Sequence, residues 1–307
     1  MLQKWGKNTS GSQRYRCPTC GRSDTRNRFD IATLNHHKLY EEWLLSKRTL
    51  SDFGIKYEVH RRTLDRWFQP FRDQDIVPNE VCCRDEVLII DGYYVQYAAT
   101  VLIAQTTQNT VVNWLFTYAE SFSTWLEFCE QIYSFPFAIV CDGQKGMLKA
   151  IKLRWPGVII QRCQFHVTHQ VHILLTKYPE TLAAQTFKEI VSDIVLVKTR
   201  DDLKAWLMEY KQWYLENVSF LKERTYQEAR TPTGRYKWHY THSRLHAANS
   251  HLEHALPNLF QYVRFLNIPN TTNRIEGGIN AQIQRRIDHH RGTTLFQRRQ
   301  IIAAFLK

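Results

Sequence analysis

The chain has 307 residues, 43% of them hydrophobic and 13% aromatic, which is enough apolar material for two or three domains with a substantial core and too much for a disordered tail. Forty-one Lys and Arg against twenty-nine Asp and Glu leave a formal charge of +12, so the expected partner is a polyanion, nucleic acid ahead of an anionic membrane surface. No run of about 18 apolar residues spans a bilayer, the N-terminal "MLQKWGKNTSGSQRYRC" lacks an apolar signal core, and seven cysteines with one CxxC pair suit a reducing compartment, so the expected location is cytoplasmic.

Residues 1–30 are basic and rich in Gly, Ser and Arg, and they carry "RYRCPTCGRS". Cys17 and Cys20 have the spacing of one knuckle of a zinc ribbon, because two thiolates three positions apart on a tight turn face one tetrahedral ion. No second CxxC follows, and His36 and His37 are poorly spaced. Zn²⁺ is therefore expected here only if other ligands are supplied, and the competing reading is an unmetallated turn. Residues 31–75 predict a helix-turn-helix. Leu39, Trp43 and Leu44 form one apolar stripe, Ser51 to Gly54 reads as a break, and Val59, Leu64, Trp67 and Phe68 form a second stripe. Arg61, Arg62 and Arg66 then lie on the outer face of a recognition helix, against the plainer reading of a helical hairpin with a solvated face. "RDQDIVPNE" reads as a linker.

Three β-rich runs follow, 86–95, 99–108 and 109–120, joined by short turns as in an antiparallel meander. "SFSTWLEFCEQIYSF" has helical spacing with Ser121 or Ser123 as cap, "FAIVCDGQ" a short buried strand, "KGMLKAIKLRWP" an amphipathic helix stopped by Pro156, and "GVIIQRCQFHV" a fifth strand. The order β, β, β, α, β, α, β is that of an α/β fold with three antiparallel strands continued by parallel ones. Asp91 and Asp142 each end or nearly end a buried strand, and if the first and fourth strands are neighbours both carboxylates reach one edge. A pair there suits a hard cation such as Mg²⁺, while two Asp-Gly turns without chemistry are the alternative.

From about 170 to 265 the pattern is helical, with Trp206 and Trp213 expected to pack inward. The basic aromatic stretch "GRYKWHYTHSRLHAANSHLEH" offers Arg235, Lys237 and Arg244 to a phosphate backbone. Near the C-terminus, "NTTNRIEGGINAQIQRR" holds Glu276 among amides, glycines and arginines, where Asn273 or Thr272 capping a surface helix is the plain reading.

Asp91 in "LIIDGYY", Asp142 in "IVCDGQKGM", Cys163 and His166 in "RCQFH", and the block "TTNRIEGGINAQIQRRIDHHRG" together give a chain that resembles the DDE transposases of the RNase H-like superfamily, specifically the Mutator type of bacterial insertion sequences. The resemblance implies an RNase H-like mixed sheet flanked by helices: a first part of the core at 84–168, an all-helical insertion at 169–268, and a final helix at 269–307 carrying the glutamate. It implies Asp91, Asp142 and Glu276 as catalytic ligands of two Mg²⁺ or Mn²⁺ ions in phosphoryl transfer. Cys163 and His166 admit three readings: zinc ligation, hydrogen bonding in the active-site wall that supports the insertion, or plain packing. Asn280 is placed to steady the carboxylate or the DNA, and Arg285, Arg286 and Arg291 to meet phosphates. Implied partners are double-stranded DNA, both terminal inverted repeats and target, and further copies of the chain in a dimer or higher oligomer, associated with a bacterial nucleoid. A non-catalytic DNA-binding protein or another RNase H-like nuclease are the rival functions. The half ribbon and the final "QIIAAFLK" read as a truncated gene product, a mis-called start or the remnant of an element, with activity still expected from the complete set of three acids.

Overall fold

The computed structural model describes residues 3–9, 11–25, 29–95, 99–230, 236–290 and 292–307. The chain divides into two compact units, residues 1–76 with 285–305, and residues 77–284 with 306–307. The first unit begins with a three-stranded antiparallel sheet of β1 (Gln3–Lys7), β2 (Gln13–Arg16) and β3 (Ser23–Thr25), whose β2–β3 turn holds Cys17 and Cys20.

Three helices follow, α1 (Phe29–Leu45), α2 (Leu50–Lys56) and α3 (Arg61–Phe68). The expected break at Ser51 to Gly54 is therefore a helix. The Thr49 hydroxyl accepts from the Asp52 N–H at 3.2 Å and donates to the Asp52 carboxylate at 2.6 Å, a cap that starts α2 where glycine suggested an interruption. Gly54 is needed for a different reason: a Cβ there would stand 2.5 Å from the Val59 carbonyl oxygen, so its absence lets the α2–α3 turn close against the helix. Tyr40, Trp43, Leu44, Phe53, Leu64 and Phe68 form the core of this trihelical group.

The second unit is built on a five-stranded mixed sheet. Its elements are β4 (Val87–Val95), β5 (Ala99–Thr106), β6 (Val111–Thr117), α4 (Phe122–Glu130), β7 (Ala138–Cys141), α5 (Lys145–Arg154) and β8 (Ile159–Arg162). The spatial order is β6-β5-β4-β7-β8, with β4, β5 and β6 antiparallel and β7 and β8 parallel to β4. The expected element order and the adjacency of first and fourth strands are both present. Ser121 caps α4 through a reciprocal bond with Thr124. Alternation sorts the sheet faces: Leu88 and Ile90 of β4 with Ile139 and Cys141 of β7 pack on α4 and α5, while Val87, Ile89, Ala138 and Val140 join the opposite core.

That opposite core is completed by α6 (Gln164–Leu175), α7 (Leu182–Ser192), α8 (Arg200–Lys222), α9 (Ser243–Ala255) and the short α10 (Gln261–Arg264), while the antiparallel hairpin of β9 (Arg224–Arg230) and β10 (Tyr236–Tyr240), between α8 and α9 in the chain, stays outside it. Trp206 and Trp213 are buried as expected, and their indole N–H groups donate to the carbonyls of Ile190 at 2.7 Å and Ala183 at 3.0 Å. The expectation of an all-helical insertion fails at the hairpin. The two strands place aromatic and basic side chains on a ribbon, with the Arg224 guanidinium 4.0 Å from the Trp238 ring centroid. A π-helical turn, Arg274–Asn280, then leads into α11 (Ala281–His289), and α12 (Leu295–Leu306) follows. Ile301 of α12 belongs to the core of the trihelical group. Among the described residues no helix is long and apolar enough to cross a membrane.

Candidate carboxylate site

Asp91 lies in the middle of β4 opposite Ile103 of β5, continuing the row of Val87 and Ile89, and is 7% exposed. Burial pushes its carboxyl up to about 7, and the negative charges of Glu276 and Asp142 push the same way, against the relief given by His166 and the Gly92 backbone. Asp142 follows the last residue of β7, the strand that runs parallel beside β4. Its Oδ1 accepts from the Gln144 N–H at 2.9 Å, which fixes the carboxylate where the chain leaves the sheet for α5. Gly143 makes that exit at φ +81°, a left-handed conformation that glycine adopts without strain.

Glu276 arrives from a segment 134 positions beyond Asp142. Neither Asn273 nor Thr272 caps its helix by a side chain to a backbone N–H; instead the Thr272 hydroxyl donates to Glu276 Oε1 at 2.5 Å. The turn is π-helical rather than the α-helix start read from the sequence. Widened turns of this kind recur at functional sites because they re-aim one side chain within an otherwise regular helix.

The β8–α6 junction holds this segment from the other side. The Gln164 N–H donates to the Asn270 carbonyl at 2.9 Å, the Asn270 amide returns a bond to Gln164 Oε1 at 2.8 Å, and both the N–H and the hydroxyl of Thr272 point at Cys163 Sγ at 3.3 Å. His166 Nδ1 is 3.7 Å from Glu276 Oε1. Burial would raise the Cys163 thiol, yet hydrogen bonds from His166 and Thr272 outweigh it and lower it overall; the same bond to Cys163 lifts His166 to about 9. The donor atoms of Cys163, His166 and Glu276 lie within 4.8 Å of one another. His169 stacks on Phe165 and His172 faces Ser192, so neither extends that group. Asn280 is 9% exposed at the end of the π-helical turn, and its Oδ1 has no hydrogen-bond partner among the described residues.

Two side chains at the site escaped sequence reading. The Glu120 carboxylate lies against Gly92, where a Cβ would come within 2.6 Å of Glu120 Oε1, and burial and the charge of Asp142 both raise it. Gln144 ties it in, donating to the Glu120 carbonyl at 3.2 Å while accepting from the Trp125 indole at 2.8 Å. Arg162 ends β8 opposite Cys141, and its Nε donates to the Asp142 carbonyl at 2.9 Å. The signals were an acid directly before a helix cap and an arginine inside the apolar run "VIIQRC".

The remaining sequence-derived residues lie elsewhere. Arg61, Arg62 and Arg66 are exposed on α3 while Leu64 and Phe68 face the core. Lys237 and Arg244 are exposed on β10 and α9; Arg285 is exposed on α11, where Arg286 lies 3.9 Å over the Phe305 ring. Arg235 and Arg291 fall outside the described residues. Hydrogen bonds to Cys20 and Thr19, mainly from their backbone N–H groups, lower the Cys17 thiol to about 7, and among the described residues no third Cys, His or carboxylate joins this pair at ligand range.

The fold and site define a mixed α/β protein in which the charges of Asp142, just past the neighbouring parallel strand, and Glu276, in a distant C-terminal turn, act on Asp91 in the central strand. Residues 93–231 match the family model described as transposase, Mutator family, and that stretch of the chain is of the Mutator type. The match contains Asp142, Cys163 and His166, begins just after Asp91 and ends before Glu276. No curated protein matches the chain.

Proposed function

We propose that this transposase is a DDE enzyme on an RNase H-like sheet, which cuts DNA at the ends of an insertion sequence and joins the freed strand to a target. The observation that carries the reading is the convergence on Asp91: its carboxyl is raised by burial and by the charges of both Glu276 and Asp142, two acids from separate parts of the sequence. Such a cluster is costly unless cations neutralise it, and its all-oxygen donor set suits Mg²⁺ or Mn²⁺ better than zinc. Asp91, Asp142 and Glu276 would hold two ions, which when bound supply Lewis-acid polarisation of a phosphodiester and activation of water or a 3′-hydroxyl.

The protein's own part is positioning. Gln144 fixes Asp142 through its backbone, and Thr272 fixes Glu276 while anchoring on Cys163. His166 sets a positive charge beside Glu276 and within reach of Asp91, moderating the repulsion among the acids. This favours the hydrogen-bonding role for the CxxH pair. The exposed arginines of α3 would grip the terminal repeats. A duplex taken from the DNA flanking the gene, incubated with Mn²⁺, should be nicked and joined by the wild type and by neither Asp91→Asn nor Asp142→Asn. Strand transfer that survives Asp142→Asn sinks the proposal, and a wild type that binds the duplex but neither nicks nor joins it leaves a non-catalytic DNA-binding protein.

A further inference from the structure

Arg162 is 6% exposed, the depth at which an arginine normally has a carboxylate partner. It has none. Its Nε bonds the Asp142 carbonyl, and neither terminal nitrogen makes a hydrogen bond or an ion pair with any described residue. Asp142 is close enough to act on its charge but not within ion-pair distance. The guanidinium lies over Gly143, where any side chain would overlap it, so the β7–α5 turn is shaped around this group. One Nε bond sets the orientation of the planar fork and leaves both terminal nitrogens as donors near Asp142.

We propose that Arg162 binds a phosphodiester oxygen of the DNA strand held at the carboxylate site, an inference that rests on the transposase reading. A buried, oriented, unpaired guanidinium suits an anion that brings two acceptor oxygens, and phosphate matches the fork bidentately. The surrounding electrostatics call for the same group. Asp91, Asp142, Glu276 and Glu120 give the site negative charge that would repel a nucleic-acid backbone, and Arg162 supplies a fixed positive charge near Asp142. A purely structural arginine, clamping the turn through Nε, would not need its remaining donors.

The test is equilibrium binding of a 5′-fluorescent duplex from the DNA flanking the gene, by anisotropy in Ca²⁺ to suppress chemistry, across a KCl series, for wild type, Arg162→Gln and Arg162→Lys. Losing one phosphate contact should weaken binding at low salt and reduce the slope of log K against log[KCl] by about 1 for the glutamine variant, whereas lysine keeps the slope. Neutral methylphosphonates are then placed one at a time around the cleaved bond. At one position the neutral linkage should abolish the difference between wild type and Arg162→Lys, a readout that remains available if Arg162→Gln does not fold. Thermal midpoints are measured on the same preparations. A wild-type slope for Arg162→Gln, or equal loss in both variants with the slope unchanged at every methylphosphonate position, overturns the assignment. If strand transfer is lost in Asp142→Asn while Arg162→Gln keeps the wild-type slope, only Arg162 is misassigned; if the wild type shows no salt-dependent binding, the transposase reading fails with it.

Discussion

Replacing Asp91 by Asn in metal-free protein should raise stability at high pH far more than at low pH. The carboxyl is 7% exposed and is pushed from 3.8 to about 7, first by burial and then by Glu276 and Asp142. A carboxyl whose folded pKa is raised contributes stability that is fully present below the unfolded value and is lost as pH rises through the folded one, so the window runs from about 4 to about 7. Linkage with these two values makes the wild type lose roughly 2–3 kcal/mol relative to the uncharged variant between pH 5 and pH 8. Urea unfolding followed by circular dichroism in EDTA at both pH values measures the gap. Adding Mn²⁺ at pH 8 should narrow or reverse it, because only the wild type gains the stabilisation of an ion bound to the folded state. A gap of equal size at pH 5 and pH 8 would refute the claim that Asp91 is a buried acid ionised at a cost.

Thr272→Val removes the donor to Glu276 Oε1 and the hydroxyl contact with Cys163 Sγ, so strand transfer should fall by about tenfold, the order of one modest hydrogen bond, with recovery in Thr272→Ser measured by single-turnover assay. Gly143→Ala should cost about 2 kcal/mol or more in urea unfolding, since it combines a left-handed backbone with overlap on the Arg162 guanidinium. Trp206→Ala, at a residue 4% exposed and bonded to the Ile190 carbonyl, should cost about 3–5 kcal/mol, and loss of thermal stability by calorimetry checks it. Mn²⁺ affinity measured by titration calorimetry should fall about tenfold per pH unit below about 7, as Asp91 must release a proton to bind.

The sheet was legible because its strands carry their own grammar. "VLIID" and "AIVCD" are apolar runs too short for helices, and each delivers an acid at the end of a buried row, so neighbouring β4 and β7 bring Asp91 and Asp142 to one edge. Glu276 is different. Its site partners come from tertiary contacts of Thr272 and Cys163 that no local pattern encodes, and resemblance rather than periodicity pointed to it. The π-helical turn has no sequence signal, since Gly277 and Gly278 read equally well as loop. Glycine misled at Gly54, where close approach of the Val59 carbonyl, rather than a helix break, explains the residue. The β9–β10 hairpin was hidden because its residues are polar and aromatic on an exposed ribbon, which removes the alternation of a half-buried strand.

Crystals soaked in Mn²⁺ and measured at a wavelength with strong manganese anomalous signal test the central claim most directly. The account predicts anomalous peaks in contact with the Asp91 and Asp142 carboxylates, with Glu276 completing the ligand set. Saturating Mn²⁺ that leaves Asp91 and Asp142 without a peak between them contradicts it.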